Sequence, residues 1–349
     1  MLTLQQTRAM TKPLVSILIP FFNEEAVIEK AITSCLNQTY DTIELILVDD
    51  FSKDRSIEIV KSFDSSNLVL GKAKEKGVGY ARNKAIELMS GEYCAFLDAD
   101  DELDPHFVET SLNKLREFEC DVAVFGTKVF NTEGKEISKQ VKESHDQVYS
   151  GQEALFKMYD YEIVASVWGK LFTAHFLKKQ QFEVGFVFED KPFLVELLLK
   201  SNRVLVGSSN LYLHFANPNS ITRSVVSEQR IADSTFSFFK ELETLTSTNQ
   251  CKTTLHRAFV YQLNCMVDIF LMIWLDRKNL EQKEMYEVFQ RNLTLILEKS
   301  DSLSIDYSLK RKILLKILKV ETILGARLPF LLVSRYYRSQ FRFIRNIKK

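Results

Sequence analysis

Short apolar runs alternate with amphipathic segments over residues 14–118, and this alternation constrains the fold more than any other feature of the sequence. The runs at 15–20, 43–48, 67–70 and 93–97 are short and in part β-branched, as buried strands are. The segments between them carry apolar residues at the spacing of an amphipathic helix. Strands separated by helices predict an α/β domain with a mainly parallel sheet, right-handed crossovers and helices on both faces.

Polar and acidic residues follow three of these predicted strands, at 20–24, 49–52 and 98–102. Because the carboxyl ends of parallel strands meet at one edge of a sheet and ligands gather there, we expect a single site. Asp98 and Asp100 are two residues apart, so an extended backbone would point both carboxylates the same way. Their hard oxygen atoms suit Mg²⁺ or Mn²⁺. The alternative is a solvated turn after a strand, since Asp is common in turns.

The rest of the chain falls into two parts. Residues 119–225 continue with shorter elements, among them predicted strands at 204–207 and 211–215. The pattern then changes to long helical segments. We therefore predict an α/β domain over 1–225 and a helical carboxyl-terminal domain over 226–349. The predicted helices of the second domain lie near 228–246, 253–277, 279–299, 308–320 and 329–347.

Charge and cysteine content argue against several classes of protein. Lys and Arg number 46, as do Asp and Glu, so the net charge of zero gives no electrostatic case for nucleic-acid binding. The five cysteines include no Cys-x-x-Cys pair, which argues against a disulfide framework or a zinc site. Residues 1–12 lack a hydrophobic signal core, and the apolar run at 269–275 is far shorter than the roughly 20 residues of a membrane-spanning helix. We expect a cytoplasmic chain.

Five motifs in a fixed order resemble family 2 glycosyltransferases of the GT-A fold, and the resemblance covers about residues 14–225. Any one of these motifs is weak, whereas five in the family's order are specific. Phe51 and Ala85 stand where the family often has glycine, which bears on how the donor fits. The motifs are the opening strand and turn at 15–24, Leu-Val-Asp-Asp at 47–50, Gly-Tyr-Ala-Arg-Asn at 79–83, Asp-Ala-Asp-Asp at 98–101 and Glu-Asp at 189–190.

The resemblance implies a metal-dependent, inverting glycosyltransferase. Such an enzyme moves a sugar from a nucleoside-diphosphate sugar, with UDP as the expected nucleotide, to a hydroxyl of a growing surface glycan or lipid-linked acceptor. The departing diphosphate needs charge stabilisation, and the resemblance assigns Mn²⁺ or Mg²⁺ to Asp98 and Asp100. The acceptor needs a base to take its proton. The resemblance assigns this role to Asp190, with Glu189 as the replacement.

The same resemblance divides the α/β domain into a nucleotide-sugar half, about 14–118, and an acceptor half, about 119–225. In the family, the second aspartate of the second motif contacts the uracil base, and that position is Asp50 here. The Gln-x-x-Arg-Trp signature of membrane-embedded processive synthases is absent. The residues assigned to the donor nucleotide are Pro20, Phe22, Asn23, Glu24, Asp50, Gly79, Arg82, Asp98 and Ala99.

Several of these residues also have a structural interpretation. Asn23 and Glu24 suit a helix cap and a first-turn acid, so we also predict that Asn23 caps the helix after the first strand. Asp50 in an Asx-turn would end its strand. Arg82 would pair with a phosphate of the donor or lie in a surface ion pair, and Asp190 suits the start of a helix.

Other residues are weaker candidates. Trp168 and Lys170 would line the acceptor side, although a Trp buried in the core is an equal alternative. His214 would complete a metal shell, whereas a lone His near a strand end is more often structural. The lysines of the 72–76 loop are typical of a solvated segment, from which one lysine would reach the diphosphate.

Arg335, Arg338, Arg342 and Arg345 recur at spacings of three and four and form a basic stripe on the predicted terminal helix. Such a helix would lie on an anionic bilayer and make the enzyme peripheral to the inner face of the plasma membrane. The alternative is a helix packed on its own domain with the arginines in water. The helical domain would also serve to pair two chains in a homo-oligomer.

Two hypotheses from other functional classes stand beside the enzyme. A non-catalytic scaffold would keep the GT-A fold and recruit partners of a polysaccharide assembly complex. A nucleotidyltransferase is disfavoured because no Gly-x-Gly-x-Arg start follows the first strand. Intact Asp98, Asp100 and Asp190 favour the enzyme over the scaffold.

Overall fold

The structure, a computed structural model, describes residues 12–139, 145–217, 227–275 and 282–305. The chain divides into two compact units, Met1–Pro218 and Asn219–Lys349. The domain boundary predicted after residue 225 lies outside the described residues, as do the helices predicted near 308–320 and 329–347.

The first unit begins with the predicted alternation of strands and helices. Each strand forms where β-branched and aliphatic residues are continuous, and each helix forms where apolar residues return every three to four positions. This part of the sequence-based prediction is confirmed. The elements are β1 (Val15–Phe21), α1 (Ile28–Leu36), β2 (Ile43–Asp49), α2 (Ser56–Ser62), β3 (Leu68–Lys72), α3 (Val78–Leu88) and β4 (Tyr93–Phe96).

The remaining elements of the first unit complete the sheet. The helix predicted to begin near Ser150 does so through a capping box, in which Ser150 and Glu153 bond each other's backbone N–H. The elements are β5 (Glu102–Leu103), α4 (Phe107–Glu117), β6 (Val122–Phe130), β7 (Glu136–Lys139), β8 (Gln147–Tyr149), α5 (Gly151–Tyr159), β9 (Lys170–Thr173), α6 (Ala174–Leu177), α7 (Asp190–Lys200) and β10 (Val204–Phe215).

The described strands form one mixed sheet in the order β3-β2-β1-β4-β9-β6-β10-β5, with β7 added to β6 and β8 to β10. The strands β3, β2, β1 and β4 are mutually parallel, as predicted. Strand β9 runs antiparallel between β4 and β6 and joins the two halves of the sheet. The parallel half therefore presents the ends of β1, β2 and β4 at one edge.

Two local predictions are wrong. The strands predicted at 204–207 and 211–215 are one strand, β10, because an irregularity in its register near Asn210 lets it continue alongside β6. Asn23 does not cap a helix, since α1 begins at Ile28 and its N-cap residue is Val27. Tertiary bonds in the turn after β1 override the local preference of asparagine for a cap.

The core of the first unit lies between the sheet and its helices. All seven residues of β1 are buried, as expected for a strand covered on both faces. Helix α1 packs against the sheet through Ile28, Ala31, Ile32 and Cys35, which share one face of the helix. Burying one such aliphatic side chain contributes about 1.5–3 kcal/mol, so this face is sufficient to hold the helix in place.

The described part of the second unit is helical, as predicted. It consists of α8 (Glu228–Ser247), α9 (Lys252–Leu275) and α10 (Gln282–Ser302). The side chain of Ser227 accepts the N–H of Arg230 and caps α8. Among the described residues, none of the helices combines the length and the apolar character needed to cross a membrane.

Candidate active site

The turns after β1 and β2 are bonded to each other. The side chain of Asn23 accepts the N–H of Lys53 at 2.8 Å, and the N–H of Asn23 donates to Ser52 Oγ at 3.1 Å. Asn23 and Phe51 have φ angles of 55° and 65°, in the left-handed region. This conformation explains why a glycine would be easy to accommodate at position 51. The two turns form one rigid wall of the site.

Asp50 directly follows β2, and its side chain reaches the start of α3. Its Oδ1 accepts the N–H of Gly77 at 2.6 Å, and burial raises the pKa of Asp50 despite that bond and the nearby Lys76. The ammonium of Lys76 lies 4.2 Å from the ring centroid of Phe22, and the ammonium of Lys72 lies 4.5 Å from that of Phe51. Asp50 is therefore bonded to the residue before α3, and two lysines of the 72–76 loop lie over aromatic rings of the turns after β1 and β2.

Arg82 on α3 contacts three carboxylates. Its guanidinium bonds Glu189 and Asp190 at the start of α7, and it lies 3.3 Å from Asp98 Oδ1 after β4. Asp98 and Asp190 are 16 and 108 residues away from it in sequence. Arg82 is 5% exposed, so the surface ion pair considered from the sequence is wrong. One buried cation joins the predicted metal motif to the predicted base.

The electrostatics of this cluster follow from burial. Burial raises the pKa of Asp98 to about 7, opposed by Arg82 and reinforced by neighbouring carboxylates. Burial likewise raises the pKa of Glu189 to about 8, with Arg82 again opposing it. The burial of Arg82 disfavours its charged form, but Asp190, Glu189 and Asp98 raise the pKa of its guanidinium above the ordinary value. Such perturbed groups in a cleft mark functional-site candidates.

Asp100 and Asp101 are held by the end of β10. Asp100 Oδ2 accepts from the Asn217 amide at 2.9 Å. Asp101 is buried and accepts from Tyr212 Oη at 2.8 Å, and its Oδ2 lies 3.0 Å from His214 Nδ1. These contacts fix the conformation of the acidic turn. They also orient His214 through one ring nitrogen, as a carboxylate does for many metal-binding histidines.

Trp168 stacks against this assembly. Its ring centroid lies 4.6 Å from that of Tyr212 and 5.9 Å from that of His214, with nearly parallel planes. The indole is half-buried and belongs to the packing beneath the acidic turn. The acceptor contact predicted for Trp168 stays a prediction, as the indole is neither fully buried in the core nor fully exposed.

The acidic edge has the chemistry of a divalent-cation site. Asp98 and Asp100 offer hard oxygen ligands, and the nearby Glu24 has a pKa raised to about 7 by burial and by repulsion from Asp100. A cation would neutralise this crowded negative charge. Within the described residues, no group of three or more His, Cys, Asp or Glu side chains is arranged as a complete metal site. The residues fit a cation that takes its other ligands from diphosphate and water.

Asp190 lies at the first turn of α7 with both carboxylate oxygens engaged. Oδ1 contacts Arg82, and Oδ2 accepts the N–H of Val167 at 3.2 Å. Its side chain is 15% exposed, whereas that of Glu189 is 4% exposed. Asp190 is therefore the more accessible of the two predicted catalytic carboxylates.

Gly79 and Asn83 hold the segment that precedes Asp190. Asn83 donates to the Phe182 carbonyl at 2.9 Å and accepts the Phe182 N–H at 2.7 Å. A Cβ added at Gly79 would lie 2.6 Å from the Glu183 carbonyl oxygen. The donor contact predicted for Gly79 stays a prediction, but the close approach of this segment explains the glycine.

The residues predicted from the sequence to bind the donor differ in how far they are buried. Pro20 and Ala99 are buried, and Ala99 packs in the core cluster. Donor contacts of these two residues stay predictions. Sequence reasoning missed the roles of Asp101, Asn83 and the end of β10. Asp101 could have been found from the sequence, because it lies directly beside the acidic motif. Nothing in the sequence around Asn217 indicates its contact with Asp100.

The mixed sheet with acidic residues at successive strand ends is the arrangement that the resemblance to GT-A glycosyltransferases predicted. The model of the family described as "Glycosyl transferase family 2" matches residues 16–177. Over these residues the chain is similar to glycosyltransferases of family 2, as the motifs predicted.

Relatives with assigned names cover the chain to different extents. Glycosyltransferase GlyA of Streptococcus pneumoniae serotype 4 is 29% identical over 218 residues, which is 60% of this chain and 31% of GlyA. Cholesterol galactosyltransferase of Borreliella burgdorferi is 25% identical over 306 residues, 83% of this chain and 84% of that protein. The chain thus spans less than a third of GlyA and most of the galactosyltransferase.

Solved structures share the fold. The structure of S. aureus TarS 1-349 in complex with UDP-GlcNAc matches with a TM-score of 0.64 and 20% identity, covering 89% of this chain and 88% of that one. A crystal structure of S. aureus TarS 1-349 matches with a TM-score of 0.63 and 19% identity, over the same shares of the two chains. At such identities the likeness establishes the fold alone.

Proposed function

We propose that the chain transfers a sugar from a UDP-sugar to a hydroxyl of a surface glycan or lipid-linked acceptor, with inversion and with the help of a divalent cation. The observation that carries this proposal is the guanidinium of Arg82, which joins Asp98 of the donor half to Asp190 of the acceptor half. A donor bound at Asp98 and an acceptor bound at Asp190 would therefore lie on either side of Arg82. The UDP-GlcNAc complex of TarS supports a nucleotide-sugar donor, and the names of GlyA and of the cholesterol galactosyltransferase support sugar transfer.

Asp98 and Asp100 would hold Mn²⁺ or Mg²⁺, which supplies charge neutralisation for the departing diphosphate. Asp50 would recognise the nucleobase at the far end of the same edge, where Gly77 fixes its carboxylate. Phe22, Asn23 and the other donor residues predicted from the sequence would line the space between them.

The proposed chemistry is a single displacement. The acceptor oxygen attacks the anomeric carbon as the bond from that carbon to the diphosphate oxygen breaks, and the electron pair leaves with the diphosphate. Asp190 takes the acceptor proton as general base. Attack from the face opposite the leaving group inverts the configuration. A retaining route of the kind used by glycosidases would need a second, nucleophilic carboxylate at the anomeric carbon.

Thermal shift measurements with a panel of nucleotide sugars, with and without Mn²⁺, test donor and metal together, because a ligand of the native state stabilises it. We expect UDP-sugars to raise the melting temperature more than GDP- or ADP-sugars, and Mn²⁺ to increase that shift. Asp100→Asn should remove the Mn²⁺ increment, and Asp50→Ala the preference for uracil. Equal shifts for all bases, or no Mn²⁺ effect in the wild type, would overturn those parts of the proposal.

Peripheral membrane contact through the arginine stripe and pairing of chains through the helical domain stay predictions from the sequence. The stripe lies outside the described residues.

A further inference from the structure

Lys170, the first residue of β9, is 1% exposed and is surrounded by backbone carbonyls. Its Nζ lies 3.0 Å from the Val164 oxygen, 2.6 Å from that of Ser166 and 3.4 Å from that of Trp168. An ammonium has three N–H donors and no acceptor, so three carbonyls match it. Burial lowers the pKa of Lys170 to about 7, while Asp190 raises it. The carbonyl cage favours the protonated form.

One peptide group connects this ammonium to the predicted base. The carbonyl of the Ser166–Val167 peptide accepts from Lys170, and the N–H of the same peptide donates to Asp190 Oδ2 at 3.2 Å. A trans peptide is planar, and its C=O and N–H point in opposite directions. Lys170 therefore lies on one side of a rigid group and the Asp190 carboxylate on the other.

We propose that Lys170 is a positioning residue for Asp190 that acts through the Ser166–Val167 peptide. This inference rests on the proposed function, in which Asp190 is the general base. A charged donor at the carbonyl polarises the peptide and strengthens the bond that its N–H makes. The cage also fixes the 164–168 segment, so that the N–H keeps its direction while the acceptor binds.

The other charged groups around Asp190 do not perform this task. Arg82 is shared with Glu189 and Asp98, so its direction is a compromise among three carboxylates. Glu189 and Asp98 are carboxyl groups, so they supply no positive charge that would stabilise the Asp190 carboxylate. The N–H of Val167 bonds Oδ2 of Asp190, whereas Arg82 bonds Oδ1.

The test compares Lys170→Met, which removes the donors and the charge, with Lys170→Gln, which keeps amide donors without charge. Lys114→Met is the matched control, because Lys114 is a partly buried lysine paired with Asp146 away from the site. Turnover is followed as UDP release from the UDP-sugar that gives the largest thermal shift, with water as acceptor. Hydrogen exchange of the 164–168 amides is measured on the same proteins.

We expect Lys170→Met to lower kcat at least tenfold while the donor KM changes less than threefold. The acidic limb of the pH profile of kcat/KM should move to higher pH, because the ionised base loses both a strengthened donor and a nearby positive charge. Lys170→Gln should lie between Lys170→Met and the wild type. Exchange at 164–168 should rise in Lys170→Met and not in Lys114→Met.

Two results would overturn the inference. One is a kcat and pH profile for the Lys170 variants equal to those of Lys114→Met. The other is faster exchange at 164–168 with unchanged kcat, which would leave Lys170 a structural residue only. If Lys170→Met does not fold, the comparison of Lys170→Gln with the wild type decides. Asp190→Asn with wild-type kcat would instead overturn the proposed function itself.

Discussion

Arg82 and Asp190 form an ion pair that joins helix α3 to the first turn of α7, across 108 residues of sequence. The same guanidinium bonds Glu189 and lies 3.3 Å from Asp98. Arg82 therefore connects the donor half of the α/β unit to the acceptor half, at the point where we propose that the sugar is transferred. Loss of this buried guanidinium from among its three carboxylates should therefore destabilise the folded state.

Replacing Arg82 by Met should lower the free energy of unfolding by about 3–5 kcal/mol, because buried carboxylates lose their ionic partner. Arg55→Met is the control, since Arg55 pairs with Glu25 in an exposed position, where about 0.5 kcal/mol or less is at stake. Urea unfolding followed by Trp168 fluorescence, with Trp274 replaced by Phe, reports on the α/β unit. Equal effects of the two substitutions would show that the Arg82 cluster contributes little to stability.

Asn83→Ala should loosen the segment before Asp190 without disturbing the donor side. It removes both bonds to the Phe182 backbone and leaves the N–H and the C=O of Phe182 without these partners, at a cost of about 1–3 kcal/mol. Hydrogen exchange of the 182–188 amides should become faster, and kcat should fall more than the donor KM rises. Lys84→Ala, on the same helix, is the control. Hydrogen exchange that stays at the wild-type rate would show that Asn83 does not hold this segment in place.

Gly79→Ala should displace the same segment by a different route. The added Cβ would meet the Glu183 carbonyl oxygen at 2.6 Å, a distance at which backbone must move. We expect a lower melting temperature and the same loss of kcat as in Asn83→Ala. A melting temperature and kcat equal to those of the wild type would show that the segment yields freely.

The regular elements could be predicted because their patterns are local. Strand β1 follows from its continuous β-branched run, and α1 follows from the spacing of Ile28, Ala31, Ile32 and Cys35. The acidic strand ends gave the candidate site for the same reason. Family resemblance then supplied the roles of Asp98 and Asp190.

What the sequence could not predict depends on tertiary contacts. Asparagine is a residue type that often caps helices, but bonds to the neighbouring turn hold Asn23 in a left-handed conformation. The sequence left Arg82 either a phosphate contact or a surface ion pair, and only the folded chain brings Glu189 beside it. The cage around Lys170 consists of backbone carbonyls, which carry no signal in a list of side chains.

Glu44 should make the α/β unit sensitive to acid. Its carboxylate accepts from Ser16 and Ser90 side chains and from the backbone N–H groups of Ser90 and Gly91. Although burial opposes it, this bonding lowers the pKa of Glu44 below its ordinary 4.5. The unfolded chain then binds the proton more readily, so the stability that Glu44 contributes is present above pH 4.5 and is lost as pH falls through the lowered pKa.

Glu44→Gln should therefore be less stable than the wild type at pH 7, and the difference should shrink at lower pH. Melting temperatures of both proteins between about pH 3 and 7 measure this. Glu58→Gln, on α2, is the matched control. A difference that grows on acidification would reverse the sign and contradict the assignment.

The arginine stripe should bind anionic membranes. Replacing Arg335, Arg338, Arg342 and Arg345 by Gln should reduce cosedimentation with phosphatidylglycerol vesicles and leave binding to phosphatidylcholine vesicles unchanged, because each basic residue near an anionic surface contributes about 1 kcal/mol. Added salt should weaken the wild-type interaction in the same way. Wild-type protein that does not sediment with anionic vesicles would contradict the membrane prediction.

Asp190→Asn gives the most direct test of the transfer mechanism, because the amide keeps the shape of the side chain and removes the base. Donor binding is measured by titration of UDP in the presence of Mn²⁺, and turnover by UDP release from the bound UDP-sugar. We predict a dissociation constant for UDP within threefold of the wild type and a kcat lower by a factor of about 10²–10⁴. Turnover at the wild-type rate would contradict the assignment of Asp190 as base.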